Sequence, residues 1–179
     1  MSPSPTISVI DDGSHHMGSL TAHRPLWASH GAGGSILSWM QHCLDRPLQG
    51  VAVCGQEDVL QPSGPTSAVR LMVSARWMEP DPALLPEFGE HVISEDGVLL
   101  AAHAEEEILQ AWRNGDVAKV QNATTPKVAK VRTLDAPWDL LDLLHHALGR
   151  RVANMTSTAV PPGVHVLGDA PVRLEEGAK

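Results

Sequence analysis

With 179 residues, 42% of them hydrophobic, the chain has material for one ordinary domain plus an appendage. Thirteen basic against twenty-one acidic residues leave a net charge of −8, which argues against a sequence-independent grip on nucleic acid. Five Trp, one Phe and no Tyr make stacking platforms for single strands scarce. Cys43 and Cys54 have no CxxC spacing, no apolar run nears the ~20 residues that cross a bilayer, and Met1–Gly13 lacks a basic segment followed by an apolar one. The expectation is a reduced, cytoplasmic protein with no membrane and no nucleic-acid partner.

After a polar lead, Ile7-Ser-Val-Ile10 predicts a short buried strand ending in Asp11-Asp12-Gly13. An acidic pair there sits where open α/β sheets place ligand groups, although Asp-Gly is also a common turn dipeptide. His16, His23 and His30 recur every seven residues, but Gly18 and Pro25 interrupt any helix that could use that period. No Cys or carboxylate completes a zinc pattern, so they read as loop histidines. Gly31-Ala-Gly-Gly34 could cradle a phosphate before a helix that starts at Ser35 and runs through Leu44, yet it matches neither a Walker loop nor a dinucleotide fingerprint.

Gln49–Cys54 and Val69–Val73 are the next strands, with a helical turn at Glu57–Leu60 and a turn at Pro62–Pro65 between them. This alternation favours parallel strands with helices on the sheet faces. Asp81–Pro86 is a proline-bounded helical segment, and His91–Ser94 with Gly97–Ala102 form two strands around Glu95-Asp96-Gly97. Glu105–Arg113 is a helix with Ile108, Leu109 and Trp112 inward and Glu105–Glu107 as a solvated first turn. Val128–Val131 reads as a connecting strand.

Asp135–Arg151 predicts a long amphipathic helix, capped by Asp135 and stopped by Gly149, that buries Leu140, Leu141, Leu144, Ala147 and Leu148 beside Trp138. Beyond a linker at Thr156–Gly163, Val164–Gly168 and Val172–Lys179 alternate apolar and polar residues as a hexapeptide parallel β-helix begins. Two partial coils bury no core, so further coils are expected past Lys179. The expected division is 1–134 as an α/β domain, 135–158 as helix and linker, and 159–179 as the start of the β-helix.

Three stretches together resemble the alternative, GlmU-like family of sugar nucleotidyltransferases: the strand into Asp11-Asp12 followed by Leu20-Thr21-Ala-His-Arg24-Pro25 (the "LTxxRP" signature), Ala75–Leu84, and Pro137-Trp138-Asp139-Leu140 (the "PWDL" helix leading into a β-helix). The resemblance implies a GT-A-type, nucleotidyltransferase-like mixed sheet with flanking helices, followed by the first coil of a left-handed β-helix. It implies an enzyme that transfers a nucleotidyl group from a nucleoside triphosphate to a sugar 1-phosphate, helped by magnesium. Through the β-helix of a full-length chain it implies a homo-oligomer. Residue by residue, Asp11, Asp12 and Arg24 become the catalytic candidates, with Arg24 as a phosphate clamp, and Thr21 and His30 the substrate-binding ones. No residue is assigned as a resident metal ligand; Trp138 and Asp139 are assigned to domain packing. His30 lies where the family carries a further arginine, and the glycine-rich triphosphate loop of ordinary sugar nucleotidyltransferases is missing after Ile10. These departures leave a second expectation, a catalytically degenerate nucleotide-sugar-binding or structural domain that supports a β-helix acyltransferase oligomer.

Overall fold

The structure, a computed structural model, describes residues 6–13, 17, 25–29, 34–46, 48, 50–54, 69–153, 160 and 165. Six strands are β1 (Thr6–Asp11), β2 (Gly50–Val53), β3 (Val69–Ser74), β4 (Glu90–Ser94), β5 (Leu99–Glu105) and β6 (Thr125–Ala129). Four helices are α1 (Ile36–Leu44), α2 (Glu106–Arg113), α3 (Val117–Ala123) and α4 (Pro137–Ala153). The strands form one mixed sheet in the order β2-β1-β3-β5-β4-β6. β1 runs parallel to β2 and β3, β6 runs parallel to β4, and β5 is antiparallel to both of its neighbours. Every strand but β5 therefore points its carboxyl end to the same edge.

The period-2 alternation of β1 sends Ile7 and Val9 to one face and Ile10 to the other. The first face carries the larger core, where Ile7, Val9, Leu71 and Val73 meet Ile36, Trp39, Met40 and Leu44 of α1 and Leu140, Leu143 and Ala147 of α4. On the opposite face Ile10, Ala52, Met72 and Ala102 meet Leu109 and Trp112 of α2 and Val120 of α3. The result is an α/β/α arrangement of three layers. Ser35 caps α1 through its side chain, which accepts from the Ser38 N–H at 3.1 Å, and Asp116 caps α3 by accepting from the Lys119 N–H at 3.0 Å. Trp39 is anchored by its Nε1–H, which donates to the Met78 carbonyl at 2.7 Å.

Several sequence expectations are corrected. The stretch after Asn114 holds a helix, α3, and its strand runs over Thr125–Ala129 rather than 128–131. Glu106 is more than a solvated first-turn residue: its carboxylate, 40% exposed, takes the Arg70 guanidinium at 3.2 Å and that of Arg113 at 2.7 Å, and both arginine side chains are buried. In α4, Asp135 does not cap; it pairs with Arg76 and accepts from the Thr133 hydroxyl at 2.5 Å. Asp139 does the capping from the first turn, accepting from the Asp135 and Ala136 N–H groups at 2.8 and 2.7 Å. Gly149 does not stop the helix, which continues to Ala153. Leu140 and Ala147 are buried as expected and Leu144 is half-buried, but Trp138, Leu141 and Leu148 are 69%, 61% and 47% exposed. The turn at 57–60, the glycines at 31–33, the linker at 156–163 apart from Val160, and the strands of the tail apart from His165 lie outside the described residues.

Two histidines tie fold stability to pH. The Thr124 hydroxyl donates to the Val120 carbonyl at 2.7 Å, so it accepts from the His91 Nδ1–H at 2.8 Å. Burial pushes the His91 pKa below 6.5 against the opposing effect of a hydrogen bond with the Thr124 backbone; burial does the same to His103, opposed by the Pro86 carbonyl. The unfolded chain then binds protons first as pH falls, so this contribution is complete above about pH 6.5 and is lost as pH falls through that value toward the folded pKa. Melting temperature is expected to drop between pH 7.5 and 5.5, and a His91→Gln/His103→Gln chain should show a flatter profile over that interval.

Candidate functional site

The site follows from topology. From β1 the chain crosses to β2 on one side and then returns to place β3 on the other, so the strand order reverses at β1. Crossovers leaving in opposite directions open a crevice at the carboxyl ends of the two strands, which is where open α/β sheets bind ligands. Asp11-Asp12-Gly13 ends β1, Cys54 ends β2 and Ala75–Glu79 follows β3 at this edge. Backbone bonds hold the three ends together: the Cys54 N–H donates to the Asp11 carbonyl at 2.8 Å and the Ala75 N–H to the Ile10 carbonyl at 2.7 Å.

The two aspartates are placed differently. Asp11 is 3% exposed; its Oδ1 accepts from the Gly13 N–H at 3.0 Å and its Oδ2 from the buried Leu26 N–H at 2.6 Å. It thereby ties the loop after β1 back onto the sheet edge, a positioning role. Gly13, at φ +68°, makes the turn that only a residue free of Cβ strain adopts easily. Asp12 is half-buried, one residue further out. Both carboxylates make the edge electronegative: the Cys54 thiol pKa is raised by burial first and then by the charges of Asp12 and Asp11. The pKa of the Cys43 thiol, on α1, is pushed up to about 11, chiefly by burial, with Arg150 lowering and Glu79 raising it. Both cysteines are free, and they are half-buried rather than the fully buried thiols that the sequence suggests.

Farther along the same edge is a cavity of about 470 Å³ lined by Met78 and Glu79 after β3, Glu95 after β4, and Lys130, Val131 and Arg132 after β6. Arg132 pairs with Asp142 of α4, and Glu79 receives Arg150 at 3.4 Å, while Lys130 is exposed. Sequence reading missed these residues because it set Lys130 inside a strand. The signal present was positional: each lies within a few residues of a strand's carboxyl end, but which strands share a direction is written only in the pairing.

Thr21, Arg24 and His30 lie outside the described residues, so Asp11 and Asp12 are the sequence candidates with a described setting. Trp138 and Asp139 fall on the first turn of α4. Among the described residues no three His, Cys, Asp or Glu side chains converge on one point. No helix among them is long and apolar enough to cross a membrane. Compared with known proteins, the chain matches no family model and no curated sequence.

Proposed function

We propose that the carboxyl edge of the sheet binds a nucleotide and a sugar phosphate, in the manner of a sugar 1-phosphate nucleotidyltransferase. The observation that carries this reading is Asp12 at the carboxyl end of β1, where the strand order reverses. Two further features support it. The mixed sheet with helices on both faces agrees with the architecture that the family resemblance implies. The edge also runs from acidic groups at β1 to Lys130 beyond β6, four strand spacings or about 19 Å at ~4.8 Å each, room for an extended ligand.

Transfer of a nucleotidyl group needs alignment of phosphates and offsetting of their charge, and little covalent chemistry from the protein. Asp11 holds the loop after β1 in place, and Asp12 presents hard oxygen donors at the edge. Magnesium is commonly held by one or two carboxylates together with substrate phosphates, so Asp12 fits an ion that arrives with the nucleotide. When bound, such an ion would offset phosphate charge. Arg24 is the proposed phosphate clamp, and Thr21 and His30 the proposed contacts to substrate.

A degenerate, ligand-binding domain is the second reading. It is favoured by the commitment of both Asp11 oxygens to backbone N–H groups, a structural role for one member of the acidic pair. Titration calorimetry with nucleoside triphosphates and nucleotide sugars, with and without magnesium, tests the binding. Heat that weakens at least about tenfold in Asp12→Ala, roughly 1.4 kcal/mol, is the expected result. No heat with any of these ligands overturns both readings, and pyrophosphate release with a sugar 1-phosphate separates the enzyme from the degenerate domain.

A further inference from the structure

We infer that the cavity at the far end of the carboxyl edge is a second ligand site, and that it takes a small zwitterion, with an ammonium at one end and a phosphate or carboxylate at the other. This goes beyond the nucleotide-binding reading and stands whether or not Asp12 binds a nucleotide. The walls of the cavity are braced. After β6 the chain returns across β4 and β5 to run antiparallel to the segment that follows β3. The Met78 N–H donates to the Arg132 carbonyl at 3.2 Å and the Leu134 N–H to the Arg76 carbonyl at 2.7 Å, and Trp77 bridges Thr133 between them. The Met78 carbonyl is held in turn by Trp39 of α1. A third wall is the turn between β4 and β5, where the Gly97 N–H donates to the Ser94 carbonyl at 3.0 Å and the Val98 N–H to the Ser94 hydroxyl at 3.1 Å. The space of about 470 Å³, with Met78 and Val131 as its apolar lining, falls within the ~300–1,000 Å³ range of preformed small-molecule pockets.

The charges select the ligand. Four charged side chains line the cavity, Glu79, Glu95, Lys130 and Arg132. Two of them are committed within the chain, because Glu79 receives Arg150 and Arg132 pairs with Asp142, so that α4 satisfies one charge of each sign. Glu95 and Lys130 are exposed and have no ion pair among the described residues. They come from different walls, Glu95 from the turn after β4 and Lys130 from the segment after β6, so a ligand lying between them meets a carboxylate on one side and an ammonium on the other. A wholly anionic ligand is attracted by Lys130 and repelled by Glu95, and a wholly cationic one meets the reverse. A zwitterion is attracted by both, and the singly charged competitors are rejected as well as out-bound. Because both groups are exposed, each contact changes affinity by up to about fivefold.

Calorimetric titration of the full chain with ω-aminoalkyl phosphates, from phosphoethanolamine upward in length, and with inorganic phosphate and ethanolamine as the separate halves, tests the inference. The best zwitterion of the series should bind about fivefold more tightly than either half. Glu95→Gln should reduce it to the affinity of inorganic phosphate and Lys130→Met to that of ethanolamine, with the circular dichroism spectrum and melting profile of both variants unchanged. A parallel series of ω-amino carboxylates identifies the anionic group, since the tighter series carries it. No heat from either series, or zwitterions that bind no more tightly than inorganic phosphate, overturns the inference, as does a preference that survives both substitutions.

Discussion

Asp11→Ala is expected to lower stability by about 3 kcal/mol, read as a shift of the urea midpoint at constant slope. The reason is local. The Leu26 N–H is buried, and its acceptor is the Asp11 carboxylate at 2.6 Å. Without it a buried donor is left unmatched, a loss of about 1–3 kcal/mol and more where the missing acceptor was charged. The second bond, from the Gly13 N–H, lies nearer solvent, so water recovers part of it. Asp11→Asn keeps one accepting oxygen but turns an amide N–H₂ toward the other donor, and should restore only part of the loss. A shift below about 0.5 kcal/mol for Asp11→Ala would show that the carboxylate does not hold the loop. The same variant separates two roles at the candidate site, because a positioning residue loses ligand affinity in step with loop stability whereas Asp12→Ala should lose affinity alone.

The second large effect belongs to Glu106. Its carboxylate is the shared counter-charge of Arg70 and Arg113, whose side chains are 7% and 8% exposed, while its own is 40% exposed. Removing one partner of a buried pair leaves an uncompensated charge and costs about 3–5 kcal/mol. The exposure of Glu106 and the additional Gln110 acceptor of Arg113 at 3.1 Å place Glu106→Ala near the bottom of that range, about 3 kcal/mol. Replacing Arg70 and Glu106 together, as Arg70→Met/Glu106→Leu, should cost less than Glu106→Ala alone, because the apolar pair leaves one fewer buried charge unmatched. Equal or greater loss in the double variant would mean that the Arg70 stem packs in a way methionine cannot reproduce. Chemical denaturation of the three chains decides between these outcomes.

These residues also show what the sequence discloses. Runs such as Ile7–Ile10, Val69–Val73 and His91–Ser94 declare their strands, because alternation and turn dipeptides are local properties. α1 is legible from its serine cap and apolar spacing for the same reason. α3 escaped because Val117–Ala123 is only seven residues long, with one buried apolar side chain, Val120. Glu106 read as a solvated glutamate because its partner Arg70 is 36 positions away and meets it only when β3 lies under α2. Asp135 looked like a cap for a similar reason: its partner Arg76 arrives from β3. The wide apolar arc of α4 was visible, but the direction of the sheet was not, so both sides of the arc were assigned to one buried face. At the candidate site the acidic pair was legible as a pair. Its division into a buried anchor and an outer carboxylate depends on the return of the chain at Leu26.

The two ends of the sheet bear on how copies of this chain can meet. β2, with four residues, is a short terminal strand, and β6 at the other end carries Pro126 and Lys127 with four of its five residues exposed. Proline withholds an N–H from any incoming strand, and a lysine beside it penalises a flat apolar approach. Growth of the sheet from one molecule into the next is thereby discouraged at β6 by chemistry and at β2 by length. A protein guarded in this way can keep the apolar residues Trp138, Leu141 and Leu148 of α4 on its surface with less risk of fibrous assembly, because open-ended backbone pairing from one molecule to the next is discouraged at both ends of the sheet.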